Sequence, residues 1–256
     1  MAEALIRGIL RGMRSLRPED IMVSEPRDER RQYLSKTYNV RTTPSNREAT
    51  ELANIVILAV KPQNMETVLE EIKDLIGQQK VIVSIAAGIT ISYIQSKLRT
   101  SRIIRVMPNT PALIGEGVSV MSLCECFGGP EVNTVREIFM SAGKVITLPE
   151  HYMDAVTALS GSGPGFIAFF VESLIEAGIK AGLSEETSRE LTLHTLSGTA
   201  KLLEQGLSPQ RLREMVTSPG GTTQAGLSIF NERDFKGTVI DAILRAKKRS
   251  EELKKV

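Results

Sequence analysis

Ile55-Val56-Ile57-Leu58-Ala59-Val60-Lys61-Pro62 is an unbroken apolar run closed by a lysine and a proline. A strand with one wet face alternates polar and apolar residues. A continuous, β-branched run belongs to a strand covered on both faces, as in a parallel sheet. Similar runs stand at 21–24, 81–86, 103–107, 118–121 and 145–148, with helical patterns between them near 28–38, 64–76, 90–98 and 131–142. That order implies βαβ units and an α/β fold with a doubly wound, mostly parallel sheet. From Tyr152 onward the strand signals stop. Helices are expected near 152–181, 185–205, 209–216, 223–231 and 236–254, punctuated by Gly182, Gly206 and a turn at 218–221. The boundary falls near Pro149. It gives a cofactor domain over 1–149 and a helical substrate or dimerisation domain over 150–256.

The 256 residues carry a formal charge of +2, which predicts no nucleic-acid partner. Cys124 and Cys126 stand too close for an ordinary structural disulfide. With only His151 and His194 beside them they complete no metal site. Few cysteines and no signal peptide argue for the cytoplasm. The uninterrupted apolar runs, Ile55–Val60 among them, are too short to span a membrane, so no membrane partner is expected. The helix around 164–181 is apolar on most of its circumference, through Phe166, Ile167, Phe169, Phe170, Val171, Leu174 and Ile175. Such a helix must be buried, and the helical domain can hardly bury it alone. A homodimer with interlocking helices is expected; a monomer that sandwiches this helix against the sheet domain is the alternative.

Ligands of open parallel sheets bind beyond the carboxyl ends of the strands. Three consecutive strands end in small or rigid loops there: Ala59-Val60-Lys61-Pro62, Ile85-Ala86-Ala87-Gly88, and Met107-Pro108-Asn109-Thr110-Pro111. Lys61 is placed for a phosphate or ribose, and Asn109 offers a rigid amide between two prolines. Ser218-Pro219-Gly220-Gly221-Thr222-Thr223 is a turn leading into a helix, with free N–H groups and hydroxyls that suit a small carboxylate or phosphate. A plain Ser/Thr-capped helix start is the other reading of that turn. No nucleophile–base pair and no HExxH motif is found in the sequence. A cofactor that brings the reactive atom suits this inventory, and hydride transfer is the matching chemistry.

Taken together, AVKP (59–62), SIAAG (84–88), MPNTPALIGEG (107–117), ALSGSGP (158–164) and SPGGTT (218–223) resemble the pyrroline-5-carboxylate reductase family, in the family's order and over almost the whole chain. The resemblance implies reduction of the cyclic imine Δ1-pyrroline-5-carboxylate to L-proline with NADPH or NADH. It also implies a Rossmann-like first domain, a helical dimerisation domain and often a ring of dimers. On this sequence the family's substrate turn falls on Ser218, Gly220, Gly221, Thr222 and Thr223. The N–H groups of Gly221 and Thr222 and the Ser218 hydroxyl would hold the substrate carboxylate. Thr223 would be the proton donor or relay, with Glu150 near the substrate amine. Asn46, Ala59, Val60, Lys61, Pro62, Ile85, Ala86 and Ala87 match positions lining the dinucleotide. At the 2′ end, Ser24, Arg27 and Arg30 suit the phosphate of NADPH, whereas Glu25 would suit the free ribose of NADH. NADPH is the favoured cofactor.

The opening departs from the family's pattern. A Rossmann domain starts with a strand, a glycine turn and a helix. This chain starts on the helix, Met1-Ala2-Glu3-Ala4-Leu5-Ile6, with Ala2 at the third small-residue position of the fingerprint. The expectation is a sheet without its first, central strand. Weaker dinucleotide binding than in a chain longer by about ten residues follows from the lost turn.

Overall fold

The computed structural model describes residues 1–124 and 127–254. The chain forms two compact units, one of residues 1–162 with 245–256 and one of residues 163–244.

In the first unit strands and helices alternate: α1 (Ala2–Gly12), β1 (Met22–Ser24), α2 (Asp28–Tyr38), β2 (Arg41–Thr43), α3 (Asn46–Leu52), β3 (Ile55–Leu58), α4 (Met65–Ile72), β4 (Val81–Ser84), α5 (Ile91–Leu98), β5 (Ile103–Met107), β6 (Gly117–Leu123), α6 (Pro130–Met140), β7 (Gly143–Thr147) and the short α7 (Met153–Val156). Five strands form one sheet in the order β3-β4-β5-β6-β7, parallel except where β5 meets β6. β1 and β2 form a separate parallel pair. β2 lacks an apolar run and is the strand that the sequence reading passes over. Among the described residues no backbone ladder joins this pair to the five-stranded sheet.

Helix α1 joins the two ladders through side chains. Ala4, Leu5 and Ile9 enter the large core with Val81, Val83, Ile104 and Phe139. Ile6, on another face of the helix, packs with Leu34 and Val40 beside β1 and β2. β4 is buried along its whole length, as its unbroken apolar run requires. On the other side α4 and α5 cover the sheet through Met65, Leu69, Ile72, Ile94 and Leu98.

Met153 and Val156 of α7 pack on Val120 of β6, so the first turns after the last strand stay with the sheet. The expected helix 152–181 is accordingly in pieces: a 3₁₀ turn (Glu150–Tyr152), α7, a π turn (Thr157–Gly161) and α8 (Gly163–Lys180). By length and mean hydropathy the 150–180 stretch meets the requirement for a membrane span, which the reading of uninterrupted runs did not reveal. The pairing expectation for the two cysteines lies partly outside the described residues, which omit Cys126.

The second unit is helical throughout: α8, α9 (Glu185–Glu204), α10 (Pro209–Met215), α11 (Thr222–Glu232) and the first part of α12 (Phe235–Glu252). Ser184 and Ser208 cap α9 and α10 by accepting from the N–H groups of Thr187 and Arg211. Gly178 of α8 lies so close to Ser188 of α9 that a Cβ there would come within 2.6 Å of its hydroxyl.

Candidate active site

The carboxyl ends of β1, β3, β4 and β5 carry the residues read as cofactor ligands. At the end of β1, the Ser24 hydroxyl donates to Oδ1 of Asn46 (2.8 Å), whose Nδ2 donates to Glu71 (2.8 Å). This places the two expected ligands Ser24 and Asn46 side by side. Arg27 bonds Glu25 with Nε at 3.0 Å, and that bond holds the Glu25 carboxyl below its ordinary range. Arg27 keeps 73% of its side chain exposed. Arg30 pairs with Glu3 and stacks on Tyr33, with its guanidinium 4.9 Å from the ring centre. Both arginines expected at a 2′-phosphate are thus held by carboxylates.

Beyond β3, Ala59 and Lys61 are exposed, Val60 and Pro62 half-buried. Beyond β4, Ala86 and Gly88 are buried, and Gly88 has φ +73°, a conformation only glycine adopts freely. Ala87 and Gly88 face a recess of ≈ 180 Å³ that Thr157, Ser162, Ala246, Arg249, Ser250 and Leu253 also line. Beyond β5, the Oδ1 of Asn109 accepts the N–H of Val118 at 2.9 Å, so half of its amide serves the loop itself. Ala2 is exposed at the start of α1, whose N-cap Met1 supplies no side-chain bond.

In the second unit, 218–221 form the turn before α11. Gly220 has φ +73°, and its N–H donates to the side chain of Gln224 (2.6 Å). Gly221 is the N-cap, and no side chain caps the helix. Its own N–H closes the turn onto the Ser218 carbonyl at 3.0 Å. Gly221 is therefore spent inside the turn, where the sequence reading has it free for a carboxylate. Among the described residues the N–H groups of Thr222 and Thr223 stay open, as do the hydroxyls of Ser218 and Thr223. Two open N–H groups at a helix N-terminus beside two hydroxyls have the chemistry that suits an anion.

Glu150 opens the 3₁₀ turn after β7. Its Oε1 accepts the N–H of Ile91, the first residue of α5, at 2.8 Å, and Nη1 of Arg105 at 3.1 Å. Arg105 is 2% exposed in the middle of β5. Sequence reading missed this buried partner of Glu150, although a charge inside Ile103-Ile104-Arg105-Val106-Met107 was the available signal. Among the described residues no cluster of three metal-ligating side chains occurs.

Comparison with known proteins matches two family models to the chain. A family model for pyrroline-5-carboxylate reductase dimerisation matches residues 150–253. A model for coenzyme F420-dependent NADP oxidoreductases matches residues 1–88. The pyrroline-5-carboxylate reductase of Synechocystis sp. is 38% identical over 256 residues, 100% of this chain and 95% of that protein. The solved structure of a pyrroline-5-carboxylate reductase from Coxiella burnetii is similar with a TM-score of 0.91 at 32% identity, covering 100% of this chain and 95% of that one. The enzyme from Plasmodium falciparum, solved with NADP bound, has a TM-score of 0.88 at 33% identity and covers 99% and 94%.

Proposed function

The chain belongs to the pyrroline-5-carboxylate reductases, NAD(P)H-dependent oxidoreductases of proline biosynthesis, and on that premise we propose how its own residues divide the reduction of Δ1-pyrroline-5-carboxylate to L-proline. The observation that carries the division is the uncapped start of α11. The open N–H groups of Thr222 and Thr223, with the Ser218 hydroxyl, take the substrate carboxylate, and Gly220 and Gly221 shape the turn without contributing a free N–H. Thr223, whose hydroxyl is open, relays the proton at the imine nitrogen. Oε2 of Glu150 is the oxygen left to face the substrate amine, since Oε1 is engaged by Arg105 and Ile91.

The strand ends fit a dinucleotide: small loops beyond β3 and β4, a left-handed glycine at 88, and the Ser24–Asn46 pair beyond β1. Ala2, Ser24, Arg27 and Asn46 would take its adenosine and phosphate side. Ala59 to Pro62, Ile85 to Ala87 and Asn109 would line the remainder. When bound, the nicotinamide supplies the hydride. Arg27, with 73% of its side chain exposed, can exchange Glu25 for a 2′-phosphate, which favours NADPH. Residues 150–256 act as the substrate and dimerisation domain, and the apolar 150–180 stretch is dimer interface, as the family model over 150–253 supports. A ring of such dimers is the assembly the family resemblance favours.

Thr223→Ala tests the assignment. Turnover should fall by about tenfold or more for a lost proton relay, with NADPH affinity within about twofold of wild type. Unchanged turnover would remove Thr223 from the chemistry.

A further inference from the structure

A positive charge inside a sheet core calls for a reason. Arg105 is 2% exposed, and its neighbours along β5 are apolar. Across the ladder it stands between Ser84 of β4 and Ser122 of β6, both buried. Its Nη2 is buried without a hydrogen-bond partner, and so is the Ser122 hydroxyl. A buried ion pair is often replaceable by apolar side chains with no loss of stability, and an incompletely bonded one more so. Stability therefore does not account for an arginine here.

What the pair holds does account for it. The Glu150 oxygen that accepts from Arg105 also accepts the N–H of Ile91, where the loop after β4 enters α5. At the loop's other end, the Ala86 N–H reaches the hydroxyl of Ser84, the ladder neighbour of Arg105 (3.4 Å). Both ends of the 85–90 loop are thus fastened to one polar row across the sheet. Glu150 has 30% of its side chain exposed. Without the guanidinium it would turn to water and release Ile91.

The geometry points to Arg105 as a positioning residue: through Glu150 it fixes the 85–90 loop, against which the dinucleotide lies. This rests on the reading of Ile85, Ala86 and Ala87 as cofactor-lining residues. The test is NADPH titration of the full chain, without substrate, for wild type, Arg105→Met, Arg105→Lys, Glu150→Ala and the double variant Arg105→Met/Glu150→Ala, each with a melting curve to confirm folding. Arg105→Met should raise the NADPH Kd about tenfold. Arg105→Lys should recover part of the loss, because an ammonium still reaches Glu150. Adding Arg105→Met to Glu150→Ala should change Kd by less than about twofold, because both act through one contact. Losses that multiply in the double variant would overturn the inference, as would wild-type NADPH affinity in folded Glu150→Ala. The latter keeps the test decisive if Arg105→Met does not fold. A wild-type chain that binds no NADPH would remove the underlying cofactor reading, and this inference with it.

Discussion

Glu3 gathers Tyr38 (2.6 Å), Tyr33 (3.1 Å), Arg30 and, at 3.5 Å, Arg7. The Tyr38 hydroxyl, then the Arg30 guanidinium, lower its pKa from 4.5 to about 2. A depressed carboxyl contributes stability that is full above the unfolded value and disappears as pH falls through the folded one. Between pH 4.5 and about 2 the wild type should therefore lose stability more steeply than Glu3→Gln. Parallel urea titrations across that range would show it, and equal slopes would refute it. The same cluster shows the limit of sequence reading at this scale. Arg30 reads as a phosphate ligand in its local pattern, yet its partner lies 27 positions away. The SPGGTT segment was legible as a turn into a helix because its signals are local. Even there, only the folded turn reveals that Gly221 spends its N–H on Ser218.

Among the elements, the strand runs and most helix limits were legible, since apolar period and caps are local signals: α2 runs over 28–38 as read, and α9 starts after its Ser184 cap. The antiparallel β5–β6 step and the early break of the long helix were not. That break is a π turn, where the hydroxyls of Thr157 and Ser160 bond the carbonyls of Met153 and Val156. Beside it sits Asp154, 2% exposed, accepting from Ser250 (2.9 Å) and pairing with Lys254 (2.5 Å). These bonds tie the end of α12 to α7. Asp154→Ala removes one partner of a largely buried pair and should cost about 3 kcal/mol, read as a lower urea midpoint. A midpoint that does not move would mean the clasp contributes nothing to stability.

For the whole molecule, the apolar circumference of α8 is uncovered within one chain: Phe169 is 72% exposed, and Phe166 and Ile167 are exposed as well. The residues matched by the dimerisation family model include all of α8. Phe169→Asp places a charge on that face and should shift the chain from dimer to monomer in light scattering, with the helical content kept. A dimer that persists would locate the interface elsewhere. The two ladders set a second consequence. β1 and β2 share no backbone bond with β3; α1, the α3–α4 contacts and the Arg47 and Lys80 bonds tie that lobe to the large sheet. A dinucleotide reaching from Ser24 to Ala87 would bridge the seam like a splint across a fracture. The lobe would then borrow rigidity from its own ligand, and its backbone amides would report occupancy by the slowing of their exchange with water.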